Sequence, residues 1–135
     1  MISKTGLYVI RALAALAKVP EDAWLGTAIL AQDIDAPVNY LSKLLHILAR
    51  ERIILSQKGV RGGVRLARPA KDVTLYDALE PFENFSRWQE CLLGEAGCPD
   101  PEPCAIHARW SPVRDQVLTF LRETTAADLV SKKTK

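Results

Sequence analysis

Ninety residues pass before the first cysteine, and the chain of 135 residues has only three, Cys91, Cys98 and Cys104. It is also sparing with aromatics (7%), has a single methionine, and has two histidines, His46 and His107. Each scarcity excludes something. Three thiols cannot all pair within one chain, so a disulfide-stapled secreted scaffold is not expected. The longest apolar runs are cut by Arg11, Lys18 and Arg50, too soon to cross a bilayer, so no membrane association is expected. The run from Ile2 has neither a basic n-region nor a small-residue cleavage site; no signal peptide is expected, and the expected compartment is a reducing cytoplasm. No internal repeat or low-complexity tract is present. Nor does one sign of charge dominate, since 18 basic residues face 16 acidic ones for a net charge of +2.

What is present is a globular composition, 48% hydrophobic and 25% charged, at a length suited to one domain plus an appended element. The basic residues are unevenly spread. From position 50 to 71 the chain has Arg50, Arg52, Lys58, Arg61, Arg65, Arg68 and Lys71 against a sole acid, Glu51. Such a segment makes an electropositive face suited to a polyanion.

Periodicity orders the elements. KTGLYVIRALAALAK, residues 4–18, predicts a helix rich in strong helix formers. Thr27 stands where an N-cap belongs before AILAQDI, and Ala36-Pro37 interrupts the helical pattern. A third helix is expected over 38–51, with Leu41, Leu44, Leu45 and Leu48 on its buried stripe. Its opposite face offers Asn39, Ser42, Lys43, His46 and Arg50. Strand-like runs 53–57 and 64–67 then flank a tip with Gly59, Gly62 and Gly63, a hairpin signature. Thr74 is placed to cap LYDALEPF, which Pro81 is expected to help end. Ser111-Pro112 reads as the cap and first residue of a long helix reaching Thr124, with Val113, Val117, Phe120, Leu121 and Leu129 as an apolar seam for a symmetric partner. The tail SKKTK is expected to fray.

The order is that of a mainly α fold with a small β-hairpin, a winged helix-turn-helix with a long C-terminal dimerisation helix. Three segments are expected: a DNA-binding domain at 1–82, a cysteine-rich sensor loop at 83–110, and a dimerisation helix with its tail at 111–135. A helix presenting polar and basic groups fits the DNA major groove. The polar face of 38–51 alone also suits a merely solvated surface; the basic, glycine-tipped hairpin that follows turns the reading towards double-stranded DNA. Asn39, Tyr40, Ser42, Lys43 and His46 are the expected contacts from the helix, with Lys58 and Arg61 from the wing. A protein-interaction module of the same shape is the rival reading.

All three cysteines and His107 fall within CLLGEAGCPDPEPCAIH, residues 91–107. Thiolates are soft ligands that hold iron–sulfur clusters or zinc. The gaps of six, five and two residues are wider than the tight pairs of structural zinc sites and favour a loop that wraps a cluster. Zinc, a reversible disulfide and plain surface thiols remain alternatives. Cys104 and His107 lack a third orienting group and an oxyanion site, so no enzyme is expected. Trp24, Trp88 and Trp110 read as core or dimer anchors.

NYLSKLLHILARERIILSQKGVRGGVRLAR resembles the recognition helix and wing of the bacterial iron–sulfur cluster regulators, a winged-helix family with IscR-type and NsrR-type members. The pattern is carried by Tyr40, Leu41, Leu44, Leu45, Lys58, Gly59, Gly62, Gly63, Leu66 and Ala67. GLYVIRALAALA, the motif from Cys104 to Trp110, and TTAADLV at 124–130 extend the likeness over nearly the whole chain. The resemblance implies a homodimeric regulator, with repression as the expected mode, reading a palindromic operator and sensing redox state, iron or nitric oxide. It also implies a [2Fe-2S] cluster on Cys91, Cys98, Cys104 and His107, as in IscR-type members. The chain departs from the pattern in places. The first cysteine gap is one residue longer, Ser42 and Lys43 replace a Glu-Gln pair, and Val64 stands where an aromatic is common. No Asp precedes Asp22, which disfavours the N-terminal Asp ligand of NsrR-type members.

Overall fold

Ser3 opens the first helix, α1 (Lys4–Ala17), by accepting a hydrogen bond from the Gly6 N–H at 3.0 Å. Val9, Ala12, Leu13 and Leu16 recur at three- and four-residue spacing and form a buried stripe along it. Ser3 is itself held, because its N–H and hydroxyl donate to Glu83 Oε2 at 3.0 and 2.6 Å. Glu83 is the last residue of α4 (Leu75–Glu83), so the start of one helix is tied to the end of another. The computed structural model describes residues 2–89 and 106–130.

Two short helices follow, α2 (Thr27–Ile34) and α3 (Val38–Arg50). Asp35 takes the left-handed conformation (φ 56°) between them, and Ala36 N–H returns to the Ala31 carbonyl at 2.9 Å. That six-to-one closure ends α2 sharply, and Pro37 sets the direction of α3. Thr27 is not the expected cap. It is the first helical residue, and Gly26, which has no side chain to make a cap bond, holds the cap position beside Leu25, the residue paired with the wing.

The wing is an antiparallel hairpin of β1 (Ile54–Gln57) and β2 (Gly63–Leu66), with Ile54 opposite Leu66 and Gln57 opposite Gly63. Leu25 and Val64 exchange two backbone hydrogen bonds of 2.9 Å, which fasten the hairpin to the loop before α2. Ile54 and Val64 point into the core from the two strands.

Thr74 caps α4 as expected, accepting from Asp77 N–H at 3.0 Å. The helix ends at Glu83, one residue past the expected LYDALEPF and two past Pro81. The lost bond is outweighed by buried Ala78 and Leu79 and by the anchoring of Glu83 on Ser3. The last helix, α5 (His107–Glu123), begins before the expected Ser111-Pro112 start and contains Pro112. The physical reason is tertiary. Trp110 lies 6.3 Å from Trp88 (ring centroids), and Arg114 donates to the Trp88 carbonyl at 3.5 Å, which fixes the first turn as helix. After α5 the chain returns beside α4, where Leu75 N–H meets Thr124 O at 2.9 Å and Ala126 N–H meets Val73 O at 2.8 Å.

One buried cluster spans these parts. It joins Leu13 of α1, Leu41 and Leu48 of α3, Val64, Leu79, Phe85, Leu118, Leu121 and Ala126. Residues before 82 and after 111 share this cluster, so the last helix packs directly on the helix-turn-helix part. The expected seam of α5 also divides. Leu121, with Leu118, is buried in this core, whereas Val113 and Phe120 are 49% and 57% exposed. Among the described residues no helix is long and apolar enough to cross a membrane. The tail 131–135 lies outside the described residues.

Candidate nucleic-acid interface

The leucine stripe of α3 decides what its other side can do. With Leu41, Leu44, Leu45 and Leu48 at 0–5% exposure, Asn39, Ser42, Lys43, His46 and Arg50 are left facing outward. The helix thus presents a row of hydrogen-bonding and basic groups about as wide as one helix face, the dimension a major groove admits. Tyr40 differs from its neighbours. It is half-buried, its hydroxyl shares a hydrogen bond with Thr5 Oγ1, and its ring meets Tyr8 edge-on at 5.5 Å. The structure places it as a strut between α1 and the first turn of α3.

The wing tip is a tight turn closed by Gly62 N–H to Gly59 O at 3.1 Å, with Val60 and Arg61 at its apex. Glycine is required on steric grounds at two positions. A Cβ on Gly62 would lie 2.0 Å from the Gln57 carbonyl oxygen, and one on Gly63 (φ 141°) would lie 2.2 Å from that of Leu25. Lys58 and Arg61 are exposed at the tip. Further back the cations are engaged: the Arg65 guanidinium stacks 4.3 Å over Trp24, and Arg68 pairs loosely with Asp77 at 3.8 Å. The basic run of the sequence thus resolves into braced cations at the base and exposed ones at the tip.

A groove of about 470 Å³ separates the wing from the first turn of α2, lined by Thr27, Ile29, Gln57, Lys58 and Val60 among others. Ile29 is 56% exposed and Val60 fully so, at 103%. Both were missed in reading the sequence. The signal for Val60 was available, since Gly59-x-x-Gly62-Gly63 puts it at the apex of the turn.

Of the proposed sulfur and nitrogen ligands, Cys91, Cys98 and Cys104 lie outside the described residues. His107 is the first residue of α5 and half-buried. No group of three His, Cys, Asp or Glu side chains converges among the described residues. The donor set itself fits an iron–sulfur cluster, since three thiolates and an imidazole match its soft-ligand chemistry. One turn beyond His107, Trp110 Nε1 is buried without an acceptor among the described residues, leaving a donor available at that end of α5. Trp88 and Trp110, expected as anchors, flank the cysteine stretch and touch one another. Trp24 instead braces the wing.

Comparison with known proteins supports the same outline. A family model described as Rrf2, iron-dependent transcriptional regulator, matches residues 2–132. A protein of Aquifex aeolicus named as of the helix-turn-helix regulator type is 31% identical over 137 aligned positions, covering 100% of this chain and 94% of the relative. IscR of Cronobacter sakazakii is 23% identical over 132, covering 98% and 81%. Among solved structures, the global cysteine regulator CymR of B. subtilis superposes with a TM-score of 0.81 at 25% identity, covering 99% of this chain and 98% of that one. IscR of T. potens superposes at 0.77 with 20% identity, covering 100% and 93%, a likeness of fold. These relatives are transcription regulators, not enzymes.

Proposed function

Since the chain belongs to the Rrf2 family of transcriptional regulators, we propose that it is a homodimer that reads a palindromic operator and senses redox state, iron or nitric oxide through its cysteine stretch. The observation carrying the DNA reading is the outward row of Asn39, Ser42, Lys43 and His46 beside an exposed Lys58 and Arg61. Asn39, Ser42 and Lys43 face base edges in the major groove, and His46 takes a base or phosphate. The wing extends across the backbone, where Lys58 and Arg61 meet phosphates or the minor groove. Tyr40, held by Thr5, sets the angle of α3 more than it reads a base.

The dimer is formed by the outer face of α5. Val113 and Phe120, two turns apart, are exposed on it, while Val117 between them is partly buried against the chain's own core, to which Leu118 and Leu121 are already committed. Two copies joined there would present two α3 helices to half-sites about one DNA turn apart. A cytoplasmic location, expected from the sequence, is consistent with a DNA-binding regulator.

Cys91, Cys98, Cys104 and His107 would hold the sensor group, probed as a [2Fe-2S] cluster. Such a cluster supplies reversible one-electron and ligand-exchange chemistry, with a potential raised by replacing a thiolate with imidazole. The residues' own part is to offer soft donors, stiffened by Pro99, Pro101 and Pro103, at the entrance of α5. Protein isolated anaerobically, with iron, sulfide and absorbance measured, tests this. Loss of the visible bands in each Cys→Ala variant is expected. Zinc in place of iron and sulfide, even after reconstitution, would leave a zinc-stiffened regulator. A thiol switch is the second reading, favoured by the likeness to CymR, of which an oxidized form from Staphylococcus aureus superposes at a TM-score of 0.78 with 26% identity. Mass analysis after peroxide would then show a reversible disulfide in protein free of metal.

A further inference from the structure

Val60 is the most exposed large apolar side chain of the described structure, at 103%, and it stands between two cations, Lys58 and Arg61. Its position is set, not incidental. The turn is closed by the Gly62 N–H to Gly59 O bond, and the steric demand for Gly62 and Gly63 leaves Val60 and Arg61 as its projecting residues. The hairpin behind them is pinned to Leu25 by two backbone bonds and braced by Arg65 on Trp24. An isopropyl group held at the end of a stiff, basic arm contributes nothing to the core.

Resting on the DNA reading above, we infer that Val60 is a specificity-determining residue, selecting base pairs that lack an amino group in the minor groove. The chemistry is simple. In the minor groove A·T pairs show only acceptors, while G·C adds the guanine N2 amine, a donor. Methyl groups pressed over that amine strip its water and return no acceptor, a penalty for an unmet polar group. Over A·T nothing is stripped without replacement, because the neighbouring Arg61 guanidinium donates to the acceptors. Valine and arginine at the same apex therefore prefer the same pair for complementary reasons.

The test uses inosine, which paired with cytosine has the minor-groove pattern of A·T and the major-groove face of G·C. The full-length wild-type protein first selects duplexes from a random pool at fixed salt. Each base pair flanking the half-sites is then changed in turn to A·T, G·C or I·C. At one position per half-site, A·T and I·C should bind alike and G·C roughly tenfold more weakly. Val60→Ser, whose hydroxyl can accept from the amine, should bring that ratio to within about twofold, the ratio within one protein being the readout whatever its absolute affinity. Full exposure of Val60 means the variant will fold. Two results would overturn the inference: I·C as weak as G·C everywhere, or a Val60→Ser protein that discriminates like wild type. The second would assign the preference to Arg61 and groove width. Failure of the wild type to retain any duplex would be a separate outcome, removing the DNA reading and this inference with it.

Discussion

Replacing Gly63 by alanine tests the mounting of the wing. Its φ of 141° is one that an L side chain rarely adopts, and the added Cβ would sit 2.2 Å from the Leu25 carbonyl oxygen, which is backbone. Strain at such a position costs on the order of 1–3 kcal/mol. Relieving the clash requires the strand to leave Leu25, which gives up the two 2.9 Å hydrogen bonds with Val64 at about 1 kcal/mol each. The sum is roughly 3–5 kcal/mol, a large share of the ~5–15 kcal/mol typical of a domain. Thermal unfolding followed by circular dichroism should therefore fall by more than about 10 °C. Gly59→Ala is the internal control. Its φ of 109° is also unfavourable, but nothing lies within 4 Å of the added carbon, so only the strain remains. The reasoning fails if the two variants melt together, or if Gly63→Ala melts within about a degree of wild type.

Three further outcomes follow from the same geometry. Lys58→Ala should weaken binding to all duplexes alike and flatten the plot of log affinity against log salt by about one unit per wing, and adding Arg61→Ala should deepen the loss; an unchanged slope in the double variant would remove the wing from the DNA. Ser42 and Lys43 substitutions should instead change which sequence is selected from a random pool, by roughly 1–3 kcal/mol at the affected base, and an unaltered preference would move base reading elsewhere on α3. Phe120→Asp, at a site 57% exposed in the single chain, should sediment as a monomer and lose about two orders of magnitude in operator affinity, whereas a surviving dimer would relocate the interface.

Much of the reading head was legible because its signals are local. The leucines of α3 repeat at the helical period, so both the buried stripe and the outward Asn39, Ser42, Lys43 and His46 follow from one pattern. The three glycines marked the wing tip for a similar reason, since only that residue meets the steric demands at 62 and 63. What escaped depends on distant parts of the chain. No local signal announces that Leu25 will pair with Val64, nor that Thr5 will meet Tyr40. Ser111-Pro112 is a sound start signal, yet Trp110 against Trp88 overrides it and carries the helix back to His107. The apolar seam of α5 was visible as a set, but a set cannot say which members turn inward. Leu121 did, and Leu118 joined it.

That division of α5 limits how a sensor at its entrance could reach DNA. Within one chain the helix is held at both ends: by Trp110 and Arg114 on Trp88 at the start, and by the Leu75–Thr124 and Val73–Ala126 backbone bonds just beyond its end. Between them Leu118 and Leu121 are 3% and 2% exposed. Sliding α5 past its own reading head would uncover both leucines, at about 1.5–3 kcal/mol each, and break two hydrogen bonds at about 1 kcal/mol each. The total, roughly 5–8 kcal/mol, exceeds what ligand-linked switches usually transmit, which is about 1–3 kcal/mol. Shifting two copies along the exposed Val113 and Phe120 face breaks none of these contacts. In the proposed dimer each head would therefore move with its own α5, and a change of state would be read as a change in the spacing of two rigid halves.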